Sequence, residues 1–98
     1  MALKGGEDST QSRNLALLAK DVMEGYLTLN PLVLRKYDEA ICKELFRQLR
    51  RLQTIIRIES VNLANQAALR TRNHRLQRMS QAIGVLEHHA KLHRITLG

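Results

Sequence analysis

Apolar residues recur at every seventh position over most of the chain. Eight of the ten positions in this row are apolar, and the row is Leu34, Ile41, Gln48, Ile55, Asn62, Leu69, Leu76, Ile83, Ala90 and Leu97. Seven residues make nearly two turns of α-helix, so the row lies on one helical face. A second apolar row follows beside it, at Leu45, Leu52, Met79 and Leu86. This pattern is typical of long amphipathic helices and predicts an all-α protein.

The first part of the chain predicts a leader followed by a helix. Residues 1–8 are polar and include glycine, and we predict that they are a disordered leader to a single helical domain over 9–98. Ser9 and Thr10 are candidate N-caps, because a hydroxyl accepts hydrogen bonds from the free N–H groups of a first turn. Apolar residues then recur every three or four positions, which predicts a first helix over about 10–27.

The dipeptide Asn30-Pro31 predicts the start of the second helix. Asparagine is a good N-cap, and proline at the first helical position has no hydrogen bond to lose. We predict that this long central helix extends over 31–69. Residues 70–74 contain no apolar residue and are the best site for a turn, before a third helix over about 73–95. The alternative is one unbroken helix through both segments.

The lengths of the helices predict a three-helix antiparallel layer. At 1.5 Å per residue, the central helix is roughly 60 Å long and its neighbours are roughly 27 and 33 Å long, so each covers half of it. A layer leaves apolar surface uncovered, and we therefore expect two chains to form a homodimeric helical bundle. The residues expected at this oligomer interface are Ile41, Leu45, Leu52, Ile55, Asn62 and Leu69.

Two asparagines, Asn62 and Asn65, interrupt the apolar row of the central helix. One interpretation is a buried polar pair that fixes the register of an oligomer. The other is that the central helix is exposed to solvent at this point. The sequence does not decide between the two.

Composition limits the class of protein. The chain has 98 residues, with 16 Lys and Arg against 9 Asp and Glu and a net charge of +7, which permits binding to nucleic acid or to an acidic partner. Its one cysteine, Cys42, excludes an internal disulfide, and we expect it to be a small buried hydrophobe. No apolar run has the length needed to span a bilayer, so we expect a cytoplasmic protein without a membrane partner.

Basic residues cluster on the predicted central helix, at Lys43, Arg47, Arg50, Arg51 and Arg57. A stripe of this kind is able to neutralise phosphates, which makes nucleic-acid binding one hypothesis. The alternatives are a solvated basic face, or arginines that pair with carboxylates of neighbouring helices. One continuous basic face favours nucleic acid, and arginines paired between helices favour an adaptor protein.

The histidines provide the one candidate metal site. His89 and His93 are four residues apart and therefore share a helical face, where they are able to hold one ion between them. Two imidazoles are too few for a structural zinc site, and the alternative is a polar helix end. We expect no cofactor.

Motifs of catalysis are missing from the sequence, which has no glycine-rich phosphate loop, nucleophile elbow or HExxH pattern. We therefore expect a non-enzymatic interaction protein: an adaptor, regulator or chaperone-like binder with an apolar helix groove and a basic rim. The alternative is a nucleic-acid-binding protein that uses the arginines of the central helix.

Overall fold

The computed structural model describes the backbone of residues 3–59 and 61–97, and the side chains of residues 14–59 and 61–97. Its helices are α1 (Leu3–Glu24), α2 (Pro31–Leu34), α3 (Glu39–Ile58) and α4 (Gln66–Leu92). The described residues contain no β-strand, which confirms the all-α prediction. The predicted central helix over 31–69 is wrong, because that stretch is divided among α2, α3 and the beginning of α4.

The first helix begins earlier and ends earlier than predicted. α1 begins at Leu3, so residues 3–8 belong to a helix and not to a disordered leader, and neither Ser9 nor Thr10 is an N-cap. Residues 1 and 2 lie outside the described residues. At the other end, Gly25 has a φ of +87°, and the N–H of Tyr26 donates to the carbonyl of Asp21 over 2.8 Å. This is a Schellman ending, in which glycine takes the left-handed conformation.

Asp38 caps the N-terminus of α3. The carboxylate of Asp38 accepts a hydrogen bond of 2.9 Å from the N–H of Ile41, and Glu39 lies in the first turn. These two acidic residues come too late to complement a helix that starts at Pro31. They are in the preferred positions for a helix that starts at Glu39, where they face the positive end of its dipole.

The turn between α3 and α4 is made by Asn62 and Asn65. The side-chain oxygen of Asn62 accepts a hydrogen bond from the N–H of Ala64 (2.9 Å), and the backbone carbonyl of Asn62 accepts one from the N–H of Asn65 (2.9 Å). Asn65 then caps α4, because its side chain accepts from the N–H of Ala68 (3.0 Å). Both interpretations placed the asparagines inside a helix, which is wrong, whereas the exposure to solvent that one of them predicted is present at both residues. The turn predicted at 70–74 is also wrong, because these residues lie inside α4.

The last helix ends at Leu92, whereas the sequence predicted about Ile95. Arg94 takes a left-handed conformation with a φ of +57°, and the N–H of Ile95 donates to the carbonyl of Ala90 over 2.8 Å. This second Schellman ending turns Ile95 back against the core.

The three long helices enclose one core. Each of α1, α3 and α4 contacts the other two, and α2 packs against α4. The predicted layer, with α1 and α4 on separate halves of a central helix, is therefore wrong. The turn over 61–65 is the physical reason, because it lets α4 fold back along α3. The largest fully buried side chains are Leu34, Cys42, Leu45, Leu49, Met79 and Leu86, and the burial of Cys42 is as predicted.

Two arginines of α4 hold the C-terminal end of α1. The Nε of Arg75 donates to Oε1 of Glu24 (2.8 Å) and its Nη2 donates to Oε2 (3.2 Å), a bidentate ion pair. Three residues later, Nη1 of Arg78 donates to the carbonyl of Met23 (3.2 Å). The positive charge of the two guanidinium groups is favourable beside the negative end of the α1 dipole. The hydrogen bond from Arg78 also satisfies the Met23 carbonyl, which lies in the last turn of α1.

The glycines at positions 25 and 84 are expected to respond to alanine substitution with opposite signs. Gly25→Ala should lower the free energy of unfolding by more than about 1 kcal/mol, because a Cβ strains the left-handed backbone and meets Cζ of Arg78 at 3.0 Å. Gly84→Ala should raise it by about 0.5–1 kcal/mol, because the position is helical and open. Urea unfolding followed by circular dichroism measures both, and two changes of equal sign would contradict this account.

Candidate interaction surfaces

An open groove lies between α2 and the C-terminal half of α4. It has a volume of about 760 Å³ and a mostly apolar surface, and its lining is Thr28, Pro31, Arg35, Gln81, Gly84, Val85, His88, His89, Leu92 and His93. The residues from α4 and its C-cap come from one helical side, because each has another lining residue three or four positions away. The core-facing side of α4 is a different one, with Met79, Ile83 and Leu86 buried.

Gly84 leaves the middle of this groove open. Apart from its own helix backbone and chain neighbours, no described atom lies within 4 Å of the position that a Cβ on Gly84 would occupy. The described part of the chain therefore does not use this glycine for close helix packing. Glycine in a helix interior costs about 1 kcal/mol relative to alanine. The α4 backbone is consequently accessible at the position where the groove passes it.

The charges around the groove have one sign. Its lining includes the guanidinium of Arg35 and three histidines, and none of the described residues that line it is acidic. Leu92 lies in the same lining with 67 % of its surface exposed. Sequence reasoning expected an apolar helix groove with a basic rim but did not assign it to particular residues. The available signal was an interior glycine followed by Leu92, which falls outside both apolar rows.

His89 and His93 meet at the end of α4, as their spacing predicts. Their ring centroids are 4.3 Å apart and the rings are tilted by 40°. Burial lowers the pKa of His89 below the ordinary imidazole value, and the adjacent His93 lowers it further. A second cavity, beside the groove, is lined by both histidines together with Arg35, Tyr37, Asp38, Glu39 and Ile95. Among the described residues, no three His, Cys, Asp or Glu side chains are arranged to hold a metal ion.

The basic residues of the predicted central helix lie on the solvent side of α3. Lys43, Arg47, Arg50 and Arg57 share one stripe by their spacing, and we call them the α3 stripe; Arg51 lies beside it. The four arginines are exposed, and Lys43 is partly buried.

Among the side chains that the structure describes, contacts of the α3 stripe remain within its own helix or reach α4 only through a backbone atom. Arg47 donates to Glu44, one turn earlier, over 2.8 Å, and Arg50 lies 5.8 Å from the centre of the Phe46 ring. The carbonyl of Arg57 accepts a hydrogen bond of 3.3 Å from Arg72 of α4. The two alternatives weighed for the arginines thus apply to different helices: α3 presents a basic face, while α4 pairs Arg75 with a carboxylate of α1.

The residues predicted for an oligomer interface are in unlike environments. Leu45 is fully buried in the core of its own chain, so its assignment to an interface is wrong. Asn62 is exposed in a turn, and the partly buried members are Ile41, Leu52 and Leu69. Ile55 is 44 % exposed, and two residues that the sequence analysis did not select, Ile58 and Leu63, are more exposed still. We call Ile55, Ile58 and Leu63 the α3-end patch.

In the residues that the structure describes, no helix combines the length and the apolar character that crossing a bilayer requires.

Comparisons with other proteins do not add to these observations. The chain matches no protein-family model, no curated protein and no solved structure.

Proposed function

We propose that this chain is a non-enzymatic interaction protein that binds an amphipathic, acidic helix of a partner protein in the groove between α2 and α4. The observation that carries the proposal is the exposed backbone at Gly84, in the middle of a mostly apolar groove. Because Gly84 has no side chain, a second helix is able to approach the α4 backbone closely at this position. Small residues at helix contacts have the same effect. Helix-in-groove recognition uses apolar anchors spaced by one turn, and the exposed Leu92 offers such a contact.

The charge of the groove selects the kind of helix. Arg35 gives the lining a positive charge, and its described residues contribute no carboxylate. A partner with Asp or Glu beside its apolar face matches this potential, whereas a basic partner is repelled. The net charge of +7 acts in the same direction at longer range.

A synthetic helix should test the groove directly. The probe is a fluorescent peptide with leucines at helical spacing and glutamates beside them, and the expected binding is micromolar, or about −8 kcal/mol. Gly84→Leu should weaken binding at least about tenfold, because its side chain fills the groove. Gln77→Leu is the matched control, since it adds the same side chain to an exposed position of α4 outside the groove lining. Anisotropy titration measures the affinities.

A second peptide in which lysines replace the glutamates should bind more weakly than the first, and added salt should reduce the difference. Equal affinities of wild type and the Gly84→Leu variant would contradict the groove as the binding site. Equal affinities of the two peptides would contradict its charge selectivity.

Nucleic-acid binding is the second candidate function, and the solvent-facing α3 stripe favours it. If its four members contact phosphates, the logarithm of the affinity for duplex DNA should fall against the logarithm of salt concentration with a slope of about −4. Arg47→Ala and Arg50→Ala should each reduce the slope by about one. Arg35→Ala is the control, because Arg35 lies at the groove and not in the stripe. Absence of binding at low salt would remove this candidate.

We also propose that the chain forms a homodimer. The proposed interface is the α3-end patch, in place of the interface that the sequence predicted. Three exposed apolar side chains near one end of a helix support an association surface. Light scattering should then give twice the 11.2 kDa chain mass. Ile58→Asp should return the mass to that of one chain with little loss of helicity, because this side chain is 76 % exposed within its own chain. Leu17→Asp, at an exposed position of α1, is the control. A single-chain mass for the wild type would exclude the dimer.

A further inference from the structure

We propose that His89 and His93 form a binding site for a divalent copper or nickel ion at the C-terminal end of α4. The site does not depend on the proposed partner helix, because both ligands come from one turn of this chain. The two imidazoles line the same two cavities, the groove and the neighbouring cavity that reaches the start of α3. An ion between them is therefore reachable from solvent.

The distance between the rings fits two neighbouring ligands of one ion. With a metal–nitrogen bond of about 2.0 Å, an ion at which one nitrogen of each ring is directed lies about 3.2 Å from each ring centre. In that arrangement, ring centres 4.3 Å apart subtend about 85° at the ion. This is close to the angle of about 90° between neighbouring ligands in square-planar and octahedral complexes, which Cu²⁺ and Ni²⁺ form with nitrogen ligands. Tetrahedral zinc requires ring centres about 5.2 Å apart, and hence a rearrangement of the side chains.

The surroundings of the pair contain further charged groups. Only a neutral imidazole binds a metal ion, so metal binding at the pair competes with protonation. Asp38 and Glu39 line the second cavity on the side of α3, as Arg35 does. Together with Tyr37 and the exposed His88, these are the titratable and charged groups that line the cavities around the pair. Water completes the coordination of an ion that has two protein ligands.

The experiment uses the full chain without an affinity tag and without any peptide. Calorimetric titration with CuCl₂, and separately with NiCl₂, should show one ion per chain, with copper bound more tightly than nickel. His93→Ala should weaken copper binding at least about tenfold, as loss of a metal-site group does. The variant should fold normally, because His93 is exposed. His88→Ala is the matched control, since it removes a neighbouring imidazole outside the pair and should leave the affinity unchanged.

Electron paramagnetic resonance of the copper complex provides a second readout. Hyperfine splitting should indicate two nitrogen ligands in the wild type and one in His93→Ala. Affinity should also fall as the pH is lowered, because protons compete for the same lone pairs. No binding by the wild type, or an equal loss in His88→Ala and His93→Ala, would overturn the proposal. Because no peptide is present, neither result bears on the groove as a protein-binding site.

Discussion

Side-chain oxygens at three positions decide where α2, α3 and α4 begin. Asn30, Asp38 and Asn65 each accept a hydrogen bond from the backbone N–H three residues later, over 2.9–3.0 Å. Each bond satisfies a donor that the first turn of a helix leaves free, and such caps contribute about 1 kcal/mol. Asp38 lies between Leu34 and Ile41 and Asn65 lies between Asn62 and Leu69, and the seven-residue spacing of the row continues across both caps. The caps, and not the apolar pattern, therefore convert one long amphipathic stretch into helices that fold back on one another.

The resulting packing divides the basic residues into two groups with different roles. On α4, Arg75 and Arg78 reach α1 and bind its last turn, where a carboxylate and a backbone carbonyl accept their hydrogen bonds. These charges are used inside the fold. On α3, the helical spacing puts the basic residues on the side away from the core, and their ion pair is between neighbours of the same helix. The same residue type thus stabilises the fold on one helix and remains available to an anionic partner on the other.

The groove follows from the shortness of α2. A helix of four residues packs against α4 but is too short to cover that side along its length, and Gly84 provides no side chain to fill the space. Both the proposed partner helix and the proposed metal ion use this side of α4. The histidine pair is formed by the last turn of α4, so its geometry is local. The groove requires α2 to lie beside α4 and is a product of tertiary packing.

The sequence by itself determined the all-α class and the helical side that His89 shares with His93. Helical periodicity is a local property, so residues four apart share a side whatever the tertiary structure. The sequence also contained the caps, but the same asparagines are compatible with a buried polar pair or an exposed helix, and their role depends on the backbone around them. Only the tertiary structure decided that Leu45 is inside its own chain, that Arg75 meets Glu24, and that Gly84 is left open. These facts depend on residues far apart in the chain, and the direction in which α4 turns back on α3 brings them together.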